Sequence, residues 1–230
     1  SIRLMSSNTS ALKKLRCEVI QPASKKHDST IIWCHGLGDS SAGFSDLFRY
    51  YVCPKLPNTK IILPNAPVRP ITINMGMKMP GWYDIKSLTK GDGVEDNEGI
   101  EESKEALTDL LNEELENVES TKVIVGGFSQ GGAMNMLVGY TFDKPLAAVV
   151  SCSAYLLLKD EYFPDKLSEE NKKTKLLAIH GDSDAMVPHE YADLSYEHLK
   201  EKCGLDVEYE SFQGMGHEMP MPVVEKVTNF

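Results

Sequence analysis

Short apolar, β-branched runs alternate along this chain with segments of helical period. Lys13–Ile20, Thr30–Cys34, Lys60–Leu63, Val123–Val125, Ala147–Val150, Lys175–His180 and Asp206–Phe212 read as strands. Ser45–Cys53, Ala133–Tyr140 and Pro188–Cys203 read as helices. So, most strongly, does Glu98–Glu119, where Ile100, Leu107, Leu110, Leu111, Leu115 and Val118 recur on one face. Strands alternating with helices imply an α/β fold: a mostly parallel central sheet, right-handed crossovers and helices on both faces. Residues 64–97 form a long connection with four prolines and no strong helix signal. Connections of that length in a compact domain usually carry function. Within it Ile71, Ile73, Met75, Met77 and Met79 alternate with polar or small residues, so one face is apolar over nine residues.

Composition narrows the class. The chain has 230 residues, 41% hydrophobic and 25% charged, which suits a single domain with a sizeable core. No repeat and no insertion large enough for a cap domain interrupts it. The division expected is a flexible N-terminal extension over 1–15 and one domain over 16–230. A net charge of −10 gives no electrostatic footprint for nucleic acid and no overall attraction to anionic lipid. The five cysteines form no CxxC pair and no metal-ligand spacing, so neither metal nor cofactor is expected. With no signal-peptide pattern and no membrane-spanning run, a reducing, cytoplasmic setting is expected.

One junction carries the chemistry. Val123-Ile-Val125 runs into Gly126-Gly127-Phe-Ser129-Gln130-Gly131 and then into a helix, the pattern of a nucleophile elbow. A serine hydroxyl is a weak nucleophile and needs a base and a group to orient that base. In α/β hydrolases these follow in the order acid, then histidine, on loops after later strands. The loop after Lys175–His180 offers Asp182 and Asp184, and the loop after Asp206–Phe212 offers His217. Asp184 lies deeper in its loop and is preferred. Asp182 follows the strand more closely and could hydrogen-bond the turn instead. Of six histidines, His35 and His180 end strands and are expected to brace the loops that follow. The backbone N–H groups of Gln130 and Leu37 are candidates for an oxyanion hole, Leu37 lying in the Gly-rich loop His35–Gly38. A phosphate loop is excluded there, because no Gly-Lys-Ser/Thr follows and Ser41 stands where Gly-x-Gly-x-x-Gly needs glycine.

Six motifs, His35-Gly-Leu-Gly-Asp39, Pro64-Asn-Ala-Pro67, Met79-Pro-Gly-Trp-Tyr-Asp84, Gly126–Gly131, His180-Gly-Asp-Ser-Asp184 and Gly214-Met-Gly-His217, together resemble the acyl-protein thioesterase family, also described as lysophospholipases or type-2 carboxylesterases. The resemblance runs in order from about residue 30 to 218. It implies a compact α/β-hydrolase fold without a cap, a triad of Ser129, Asp184 and His217, an oxyanion hole from Leu37 and Gln130, and hydrolysis of long-chain acyl thioesters of protein cysteines. Two departures stand out: Gly132 where the family often has alanine, and a final helical pattern that stops at Phe230, which reads as a C-terminus lying further on. Seven of the ten methionines lie beside the candidate chemistry. Ile71, Ile73, Met75, Met77, Met79, Trp82, Met186 and Met215 are therefore candidates for an acyl pocket, since unbranched thioethers repack around flexible chains. The rival reading of Ile71–Met79 is an ordinary half-buried strand, and of Trp82 a core anchor. The expected partners are S-acylated proteins or other long-chain acyl esters, with transient membrane-surface contact and a homodimer through the apolar flap. A lysophospholipase or broad carboxylesterase is the alternative enzyme. An acyl-binding scaffold is the non-enzymatic one, and the intact Ser129, Asp184 and His217 argue against it.

Overall fold

The structure, a computed structural model, describes residues 14–87 and 95–230. The chain enters through β1 (Arg16–Ile20) and β2 (Ser29–Cys34), then α1 (Ser41–Leu47), which continues into a π-helical turn over Phe48–Val52. β3 (Thr59–Asn65) follows, then β4 (Val68–Ile71), β5 (Met77–Pro80), α2 (Asn97–Glu114), β6 (Val123–Phe128) and α3 (Gln130–Thr141). The remainder is β7 (Ala148–Cys152), α4 (Lys159–Tyr162), β8 (Lys175–Gly181), α5 (His189–Glu201), β9 (Val207–Phe212) and α6 (Met221–Asn229).

Seven strands form one sheet in the order β1-β3-β2-β6-β7-β8-β9. Only β1 runs antiparallel to its neighbour. Both faces are covered, which is why the strands read as unbroken apolar runs rather than alternating ones. In β2, Ile32 and Cys34 face one core with α2, α3 and α5, while Ile31 and Trp33 face the other with Phe44, Phe48 and α6. α3 is buried from Gln130 to Tyr140, which explains why its sequence has no polar face. Among the described residues no helix is long and apolar enough to cross a membrane.

One expectation needs adjustment, and two others meet the described residues only in part. Residues 1–13 of the expected flexible extension lie outside the described residues; Lys14 pairs with Glu113 at 2.7 Å and Leu15 packs on the core. The long connection contains two short strands. β4 and β5 pair as an antiparallel hairpin, and residues 88–94 lie outside the described residues. The nine-residue apolar face of Ile71–Met79 does not form. A 3₁₀ turn at Thr72–Asn74 and left-handed residues at Met75 (φ 55°) and Gly76 (φ 75°) reverse the chain, so its two arms pair with each other.

Candidate active site

The centre of the site is built by close backbone approach. A Cβ on Gly127 would stand 2.4 Å from the Gly131 carbonyl carbon, and one on Gly131 would stand 2.2 Å from the Cys34 carbonyl oxygen. Both separations are impossible for a side chain, so strand β6, helix α3 and the end of β2 can lock together only with glycine at these positions. Between them Ser129 adopts φ 55°, ψ −123°, a conformation costly for a residue with a Cβ. Its N–H donates to Cys152 O at 2.9 Å, and its carbonyl accepts Ala133 N–H at 3.0 Å. The turn therefore holds the strain from both sides and leaves Ser129 partly exposed. Gly132 follows the same logic: Gly127 O lies 2.8 Å from where its Cβ would be.

The same interlock delivers Leu37. A Cβ on Gly36 would lie 3.2 Å from Ser129 Cβ, so the loop after β2 rests on the elbow. His35 braces it: Ala66 N–H donates to Nε2 at 3.1 Å, which leaves the proton on Nδ1 to donate to Gly36 O at 2.7 Å. Burial holds the His35 pKa below its ordinary value. Among the described residues the N–H groups of Leu37 and Gln130 have no hydrogen-bond partner.

His217 donates Nδ1–H to Asp184 Oδ2 at 2.7 Å. Asp184 is fully sheltered at its side chain, and Met186 N–H and Val187 N–H both donate to its other oxygen at 2.9 Å. The His217 ring packs 4.7 Å from Phe128, the residue before Ser129. With Nδ1 engaged, Nε2 is the nitrogen left to act as a base. Asp182 does something else: it is exposed and accepts Gly214 N–H at 2.7 Å, fixing the loop that carries His217. His180 braces its loop, donating Nε2–H to Val187 O at 2.9 Å, with Asp184 Oδ2 3.4 Å away. Burial lowers its pKa too.

The pocket candidates are scattered. Ile71 and Trp82 are fully buried and Met215 nearly so, while Ile73 is half-buried. Met79 is also half-buried, with Asn74 Nδ2 3.4 Å from its sulfur. Met75 (95%), Met77 (61%) and Met186 (69%) are exposed. Trp82 anchors: its indole N–H donates to His35 O at 2.8 Å. The Gln130 side chain was not singled out from the sequence. It ties the elbow to the hairpin base, accepting Trp82 N–H at 3.0 Å and donating to Tyr83 O at 2.9 Å. No local sequence signal reports such a contact; Gly76 was the available signal for the hairpin turn.

A family model for phospholipases and carboxylesterases matches residues 15–230. The chain belongs to the phospholipase/carboxylesterase family. It is similar to acyl-protein thioesterase 1 of Gibberella zeae, with 38% identity over 92% of this chain and 93% of that one. It is also similar to acyl-protein thioesterase 1 homolog 1 of Dictyostelium discoideum, with 36% identity over 94% and 95% of the two chains. Among solved structures, acyl-protein thioesterase 2 of Zea mays superposes with a TM-score of 0.81 at 27% identity, covering 93% of this chain and 96% of that one. This member of the phospholipase/carboxylesterase family is thus a serine hydrolase with an α/β-hydrolase fold, and among the described residues no cap is evident.

Proposed function

We propose that the protein hydrolyses long-chain acyl thioesters, removing palmitoyl-type groups from protein cysteines through an acyl-enzyme on Ser129. The observation that supports this most is the 2.7 Å pair of His217 and Asp184 set beside the strained elbow, in a chain whose relatives are acyl-protein thioesterases. His217 Nε2 takes the Ser129 proton as the oxygen attacks the acyl carbonyl. Asp184 holds the imidazole in the tautomer with Nδ1–H and stabilises the imidazolium that forms. The N–H groups of Leu37 and Gln130 receive the developing oxyanion. The thiol leaves, and water activated by His217 releases the fatty acid. A cysteine thiol has a pKa of about 8.5, far below that of an alcohol, so thioesters need less help from His217 as acid than oxyesters do.

The exposed Met75 and Met77 at the hairpin turn, with Met186 on the Asp184 loop, supply apolar, adaptable surface for the acyl chain and for the lipid boundary where acylated proteins reside. Partners are accordingly S-acylated proteins met transiently at a membrane surface. The test sets S-acyl cysteine peptides of increasing chain length beside matched oxyesters and a lysophospholipid. Long-chain thioesters should give the highest kcat/KM, and Ser129→Ala should abolish turnover and fluorophosphonate labelling. A preference for short chains would remove the acyl-surface reading, and undiminished labelling of Ser129→Ala would remove the nucleophile.

A further inference from the structure

We propose that the base of the β4–β5 hairpin is part of the oxyanion hole's machinery, with Trp82 and the Gln130 carboxamide acting as positioning residues that hold its two donors in register. This rests on the reading of Leu37 and Gln130 as those donors. A peptide group is planar and trans, so its C=O and N–H point in opposite directions. The direction of Leu37 N–H is therefore set by whatever holds Gly36 C=O, and that is His35 Nδ1–H at 2.7 Å. The backbone of His35 is held in turn, since its carbonyl accepts the Trp82 indole N–H at 2.8 Å. On the far side of Leu37, Gly38 N–H donates to Pro80 O at 2.7 Å. Leu37 is thus held on one side by the hairpin's Pro80 and on the other by His35, whose backbone Trp82 anchors.

The second donor is held to the same segment. Gln130 is 2% exposed, and both ends of its carboxamide bond the hairpin base: Oε1 accepts Trp82 N–H at 3.0 Å and Nε2 donates to Tyr83 O at 2.9 Å. Gly81 lies in the remaining gap, its Cβ position 3.0 Å from Leu37 Cδ1 and 3.5 Å from Gln130 Oε1. Ser103 Oγ donates to Trp82 O, fixing the segment to α2. One short stretch, Gly81-Trp82-Tyr83, therefore touches both residues whose backbone N–H groups face the reacting oxygen. A hole made of two donors works only if their spacing matches the oxyanion, and a small misplacement costs roughly 10²-fold in rate. The Gln130 side chain does not touch substrate in this arrangement; it acts through the amide of its own residue and through Leu37.

Two conservative variants test this. Trp82→Phe keeps an aromatic ring and deletes one N–H. Gln130→Met keeps length and volume, retains the backbone amide and removes both carboxamide bonds. In each, kcat for a long-chain thioester should fall about 10- to 100-fold with KM changed by less than about threefold. Affinity for an alkyl boronic acid, whose tetrahedral adduct with Ser129 places an oxygen in the hole, should fall in step with kcat. A purely structural role would lower the unfolding midpoint without that split. The proposal is overturned if folded variants keep wild-type kcat and boronate affinity, or if the loss lies wholly in KM. Should neither variant fold, hydrogen exchange in the wild-type protein decides. Boronate binding should protect the amides of Leu37, Gln130 and Trp82 together, and protection of Leu37 without Trp82 overturns the idea. Ser129→Ala separates the two readings: if it keeps activity, the site itself is misassigned, whereas a dead Ser129→Ala beside unaffected positioning variants removes only this inference.

Discussion

Around Ser129, atoms are held by contact: a Cβ on Gly131 would lie 2.2 Å from Cys34 O, so strand, turn and helix have one way of fitting together. Around His217, atoms are held by hydrogen bonds: Asp184 accepts from His217, Met186 and Val187, while Asp182 accepts from Gly214. The proposed nucleophile side is fixed chiefly by excluded volume, with one imidazole, His35, bracing the neighbouring loop. The acid–base side is fixed by charge and proton placement on two loops. On the proposed roles, position is secured where Ser129 would attack, and proton location where His217 would move a proton.

The largest expected effect falls on the polar half. Asp184→Asn should cut kcat/KM by roughly 10³–10⁴-fold, because an amide favours the wrong His217 tautomer. Steady-state kinetics check this, with Asp182→Asn as the control that keeps most activity. Equal losses in the two would erase the distinction drawn between the aspartates. The steric half should fail in the opposite currency. Gly131→Ala should destabilise by about 1–3 kcal/mol or more, as a methyl meets backbone that cannot move aside. Calorimetry should register this as a lowered midpoint; an unchanged midpoint would mean the interlock is looser than its distances say.

The smallest effect comes from pH and refines the contrast, because each half contains one buried imidazole. Burial depresses the pKa of His35 and His180 below the ordinary 6.5. Unfolded imidazoles take up protons as pH falls through about 6.5, while the buried ones do so only at lower pH, so the unfolded state gains. The stability these groups contribute is fully present above that pH and is lost progressively below it, by about 1.4 kcal/mol for each unit of difference. The unfolding midpoint should therefore fall from pH 6.5 to 5, with a shallower slope in His180→Asn. An unaltered slope in that variant would show that His180 takes up its proton in the fold.

Much of this was legible in the chain. The parallel strands are unbroken apolar runs because they are buried on both faces, so Ile31–Cys34 and Leu176–Ile179 announce themselves. The elbow is legible because Gly127 and Gly131 are demanded by geometry that no other residue meets. The hairpin was legible only through Gly76, a single glycine. Its residues alternate as a single strand would, and the reversal depends on a left-handed Met75, a conformation its sequence does not advertise. The bond between Gln130 and Trp82 was not legible, since 48 positions separate partners whose pairing exists only after the hairpin folds. Local pattern reports periodicity and steric need; it is silent on which distant polar groups meet.

Met75 stands 95% exposed and Met77 61%, while Met134 and Met136 on α3 are wholly enclosed. Peroxide reaches open thioethers first and converts each to a polar sulfoxide. Oxidative ageing of this protein would therefore begin at the hairpin turn. With Met186, 69% exposed, it would turn polar the surface proposed for the acyl chain, while the methionines enclosed in α3 stayed intact.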